Sequence, residues 1–67
     1  MKTMKLLEFY DCVVDITGND GRSAIGKVED YIYPEDNENG KESIIVNFPD
    51  GTAQEFYEEY IERIIVI

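Results

Sequence analysis

Carboxylates are the abundant reactive groups of this chain, 15 Asp and Glu in 67 residues, so chemistry is sought among them first. Asp36-Asn37-Glu38-Asn39-Gly40 sets oxygen-bearing side chains at alternate positions, loosely as a calcium loop does. Such a loop needs a glutamate eleven residues after its first ligand and a glycine at its sixth position. Here the first of those positions holds Asn47 and the glycine comes one place early. The stretch reads as a solvated loop, and no metal is expected. Glycoside chemistry needs two acids converging across a cleft, which acids scattered over one small domain do not supply. With no histidine, the usual general base, the commonest metal ligand and every His-dependent triad are missing. Lone Cys12 permits no internal disulfide and no cysteine-based zinc site. It falls in the apolar phase of a strand, where a small buried thiol is ordinary. No catalytic residue, no cofactor and no enzymatic activity are expected.

The tyrosines are the other candidates. Tyr31 and Tyr33 fall on the outer face of a long strand, and Phe56, Tyr57 and Tyr60 cluster near the C-terminus. Aromatics so placed stabilise a sheet by cross-strand packing, or form a strip that stacks bases or holds a peptide. Charge separates the last two. The formal net charge is −9, and the six cations Lys2, Lys5, Arg22, Lys27, Lys41 and Arg63 are spread without a cluster. Nucleic-acid binding ordinarily rests on a basic patch that releases counterions. A basic protein or peptide fits Tyr31, Tyr33, Tyr57 and Tyr60 better than RNA does. The acidity also keeps a small Ile- and Tyr-rich chain dissolved.

These residues need a scaffold, and the length allows one domain, residues 1–67. A chain this short buries only roughly 60% of its unfolded surface, so the core is thin and oligomerisation is a natural supplement. Thr3 to Asp11 is the helix candidate. Either Met4, Leu7 and Tyr10 or Leu6, Phe9 and Tyr10 form its apolar stripe, with Thr3 as cap. From Cys12 the period becomes two, with Cys12, Val14 and Ile16 inward. Gly18-Asn19-Asp20-Gly21 is a hairpin signal. A long strand follows from about Arg22 to Tyr33, with Ala24, Gly26, Val28 and Ile32 on one face. Asp30 interrupts that face and Gly26 sits mid-strand, so a bulge or sharp bend is expected there. After a polar loop, Ser43 to Phe48 makes a third strand, Pro49-Asp50-Gly51-Thr52 a turn, and Ala53 to Tyr57 a fourth strand. A single helical turn at Glu58 to Ile61 leads to a closing strand, Arg63 to Ile67. The reading is mainly β: a short helix, then a five-stranded, strongly bent antiparallel barrel. No apolar leader or spanning segment develops, and the free thiol fits the cytoplasm.

The short N-terminal helix, Val13-Val14-Asp15-Ile16-Thr17, the Asp20-Gly21 hairpin and Gly26-Lys27-Val28 together resemble the first motif of Sm-like domains, which are SH3-like barrels. Phe56-Tyr57-Glu58-Glu59-Tyr60-Ile61-Glu62-Arg63-Ile64 resembles the strand, helical turn and final strand that close such a barrel. The resemblance implies self-assembly in which one subunit's final strand pairs with the next subunit's fourth, a role suited to apolar Ile64, Ile65, Val66 and Ile67. It also sets Asn37 and Arg63 nearest the family's RNA-contact positions; an RNA-binding reading adds Lys27, which with Arg22 otherwise reads as a cross-strand charge partner for neighbouring acids. The family's base-holding Asp would fall near Ile32, and its Arg-Gly pair is replaced by Glu62-Arg63. The expectation is therefore a non-enzymatic binding and assembly module, homo-oligomeric through its C-terminal strand, with RNA binding as the alternative.

Overall fold

The computed structural model describes residues 5–67. Thr3 and Met4, assigned above to the helix, lie outside them. Five antiparallel strands form one sheet: β1 Val13–Gly18, β2 Ser23–Ile32, β3 Ser43–Asn47, β4 Ala53–Tyr57 and β5 Ile61–Val66. Their spatial order is β4-β3-β2-β1-β5. Short 3-10 turns cover Leu6–Phe9, Pro34–Asp36 and Glu58–Tyr60. β5 begins at Ile61, two residues before the expected Arg63, because Ile61 is itself buried and pairs with Gly18.

Two expectations are corrected here. The N-terminal element is one 3-10 turn rather than a helix. Lys5 makes no side-chain cap, and Asp11, at φ 67°, turns the chain sharply into β1. A segment this short holds its shape only by packing. Leu6 is fully buried and Phe9 packs on the core, whereas Leu7 and Tyr10 stay exposed. Secondly, the sheet does not close. With five strands alternating in direction, β4 and β5 run the same way. Parallel neighbours need a long crossover between them, and only three residues connect β4 to β5. The chain therefore runs on from one edge to the other and leaves a gap.

The strands follow the alternation read from the sequence. Val14, Ile16, Val28, Ile44, Val46, Phe56 and Ile61 join Leu6 in the core. Two hairpins use the same device. Gly18 and Phe48 accept from the amides of Gly21 and Gly51, and both those glycines have positive φ. Such positions strain any residue with a Cβ.

The bend in β2 has two sources. Gly26 sits opposite Val14, facing inward, where an added Cβ would lie 2.6 Å from the Asn47 carbonyl oxygen and 2.8 Å from Val46 Cγ1. Only glycine admits so close an approach of β2 to the end of β3. Three residues on, the register with β3 shifts: Val28 faces Val46, but Asp30 faces Ile45, so Glu29 is the extra residue of a bulge. The bulge inverts the phase beyond it. Asp30 is thereby released to solvent, as its polarity demands. Tyr31 moves to the inner face opposite Ile44 and packs on the core, while Ile32 goes opposite Ser43. The assignment of Tyr31 to the outer face, and of Ile32 to the inner one, is thus corrected.

Candidate functional site: two strand edges and an open groove

The gap between β4 and the β1–β2 hairpin forms an open groove of about 560 Å³. Ile16, Phe48 and Phe56 supply its apolar floor, and Asp20, Arg22, Glu55 and Tyr60 stand on its rim. The hairpin tip is anchored across its end. The Asn19 amide N–H donates to the Tyr60 carbonyl at 3.0 Å, and Asn19 Nδ2 donates to the Glu59 carbonyl at 2.6 Å. From Asp50 to Tyr60 the chain carries Asp50, Glu55, Glu58 and Glu59 and no cation. Within β4 itself Glu55 is the acid, and Asp50, Glu58 and Glu59 flank the strand at its two ends. Lys41 reaches one end and forms an ion pair with Glu59.

The two edges are chemically unlike. Ile67 donates its amide to the Val13 carbonyl at 3.0 Å. In an antiparallel ladder the backbone groups alternate sides, so Arg63, Ile65 and Ile67 turn theirs to β1. Ile64 and Val66 turn theirs to the open edge. On β4 the Phe48 amide donates to the Thr52 carbonyl at 2.8 Å, so Gln54 and Phe56 face β3 while Ala53, Glu55 and Tyr57 face outward. Side chains sort in the same way. Ile64 packs partly on the core opposite Ile16, but Ile65, Val66 and Ile67 are 42%, 51% and 68% exposed. Ile65 continues an outer-face row, Ile25–Asp15–Ile65, beside Val13 and Ile67. Exposed aliphatics along a free edge are a template for strand pairing.

The tyrosines form two separate pairs rather than one strip. Tyr31 and Tyr33 meet edge to face at 4.9 Å, and Tyr57 and Tyr60 at 6.2 Å. Tyr31 donates its hydroxyl to Glu42 Oε1 at 3.0 Å. Burial, then that carboxylate, raises its pKa above the ordinary phenol value. Burial and neighbouring Glu55 raise that of Tyr57 in the same way. Tyr33 and Tyr60 offer the most exposed ring surface, and Tyr60 alone of the four lines the groove.

The three residues implicated in RNA contact are placed apart. Lys27 lies opposite Val13 and Arg63 opposite Thr17, on strands flanking β1. That separates them by about 13 Å along the strand direction. Lys27 is bound to Asp11 at 3.1 Å, which raises its pKa. Asn37 Nδ2 donates to the Lys41 carbonyl at 2.7 Å and to Ser43 Oγ at 3.1 Å, tying down the β2–β3 loop. Arg63 makes no ion pair among the described residues.

Sequence reasoning passed over Ser43, the buried polar residue of the described chain. Its hydroxyl donates to Glu55 Oε2 at 2.6 Å and so links the loop to the β4 edge. Nothing in the sequence marks it, whereas the cation-free run from Asp50 to Tyr60 was there to be read. Among the described residues no group of acids or thiol converges as a metal site does, and no helix is long and apolar enough to cross a membrane. No protein-family model, curated protein or solved structure matches the chain.

Proposed function

We propose that this protein is a cytoplasmic, non-enzymatic binding and assembly module of the SH3-like, Sm-like type. It self-associates through its C-terminal strand and presents the acidic, tyrosine-bearing β4 side to a basic protein or peptide. The strand order, the bent β2 and the short turn between β4 and β5 support the fold assignment. The observation that carries the functional reading is the contrast between the edges. β5 is aliphatic and nearly neutral, with Glu62 balanced by Arg63, and suits a like surface. β4 carries Glu55, with Asp50, Glu58 and Glu59 at its ends, beside a groove with an apolar floor, which suits an extended chain with alternating basic and aliphatic side chains.

The test is the absolute mass of the native protein by light scattering behind a sizing column. Removing residues 64–67 would strip β1 of its partner strand, so Val66→Pro is the better perturbation. It deletes an amide that points to the open edge and leaves the β1 ladder intact. An oligomer that Val66→Pro converts to monomer supports the reading, and a wild-type monomer at every concentration refutes it. Adding a peptide of alternating lysine and valine should perturb β4 amide resonances of residues 53–57. Added oligouridine should change neither mass nor spectrum; if it does, the partner is RNA.

A further inference from the structure

Building on that self-association, we propose that β5 pairs with β5 of a second copy, antiparallel about a two-fold axis through Ile65. The register follows from which backbone groups are free. Only Ile64 and Val66, within 63–67, turn amide and carbonyl outward, and both carry inner-face side chains. Opposed residues of an antiparallel pair share a face. Rotating a second copy about the sheet normal keeps inner faces continuous and sets Ile64 of each chain against Val66 of the other. Both are hydrogen-bonded pairs, and both match aliphatic to aliphatic. Ile65 then meets its own copy across the axis as a non-hydrogen-bonded pair, and Arg63 lies opposite Ile67. Moving the axis to Ile64 instead faces Glu62 against Val66, an acid against an aliphatic residue.

The competing arrangement pairs β5 with β4 of the next copy. Antiparallel pairing there requires the second molecule to be turned over, because the outward groups of β4 belong to the outer-face residues Ala53, Glu55 and Tyr57. Glu55 would then stand opposite Ile64 or Val66. Pairing β4 with β4 brings Glu55 of each copy close to that of the other. Charge and side-chain matching thus both favour β5 on β5. The result is a ten-stranded sheet in which the outer-face rows Ile25–Asp15–Ile65 of both copies meet at Ile65, while the two grooves remain open at its far ends. The contact is an isologous one of the kind commonest in homodimers.

Disulfide trapping tests it. Cα atoms of a non-hydrogen-bonded pair lie about 4.5 Å apart, inside the range a disulfide spans. In a Cys12→Ser background, Ile65→Cys should form a covalent dimer under mild oxidation. Arg63→Cys, displaced four residues from its copy, should remain reduced. Circular dichroism checks that both variants fold, and a shared β-sheet spectrum is expected. Equal cross-linking of the two, or none with Ile65→Cys, overturns the two-fold register. A wild-type mass of five to seven subunits overturns it while leaving self-association standing. A wild-type monomer removes both.

Discussion

Replacing Gly26 by alanine should be the most damaging methyl addition at any of this protein's glycines. The backbone there has an ordinary φ, so the cost is purely one of space. The new Cβ would lie 2.6 Å from a main-chain oxygen, 2.8 Å from Val46 Cγ1 and 2.9 Å from a Phe48 ring carbon. Val46 is fully buried and the oxygen belongs to the β3 backbone, so neither gives way easily. Overpacking of this kind costs ~1–3 kcal/mol, and a rigid backbone atom among the contacts places Gly26→Ala at the upper end. Domains of this size hold roughly 3–10 kcal/mol in all, and each kcal/mol moves Tm by ~4–8 °C. A fall of ~12–24 °C is expected in a thermal melt followed by far-ultraviolet circular dichroism. Gly40→Ala is the reference. Its φ of 72° is strained for alanine, but nothing lies within 4 Å, so the cost is ~1 kcal/mol. If Gly26→Ala melts within ~3 °C of wild type, or above Gly40→Ala, the tight bend of β2 is not what shapes this sheet.

Ser43→Ala should cost about 1.5 kcal/mol, because a buried hydroxyl that both donates and accepts is lost; a urea titration reads it, and Glu55→Gln, which keeps an acceptor, should cost less. A cost of Ser43→Ala below that of Glu55→Gln would refute the linking role. Lys27 has its pKa raised above 10.5, first by its hydrogen bond to Asp11 and then by the charge of that carboxylate. Its contribution is complete below the ordinary lysine value and is lost as pH rises through the raised one. Wild type should therefore lose more stability than Lys27→Met between about pH 10 and pH 12, and parallel urea midpoints over that interval would rule the pairing out. Val66→Pro and the Ile65→Cys trap extend the same reasoning to assembly.

Most of the β framework was legible because it rests on local rules. Val14 and Ile16 against Asp15, or Ile44 and Val46 against Asn47, alternate as a half-buried strand must. Gly21 and Gly51 mark the hairpins because few other residues adopt positive φ. The misplaced Asp30 announced an irregularity, but it did not say which residue would be extruded. That choice fell to Glu29, and with it Tyr31 changed faces, because the register with β3 balances the burial of several residues at once. The N-terminal turn misled because apolar spacing alone does not measure whether nine residues can cap and hold a helix.

For the candidate site, the sequence by itself determined composition: an aliphatic C-terminal strand and an acidic run from Asp50 to Tyr60. Which of these surfaces would be free was decided only in three dimensions. An odd number of alternating strands makes β4 and β5 run the same way, and a three-residue link cannot bring parallel strands side by side. Among the described residues the sheet therefore ends in two unpaired edges, with a groove opening beside β4, a consequence of strand count and connection length that no single stretch of residues encodes.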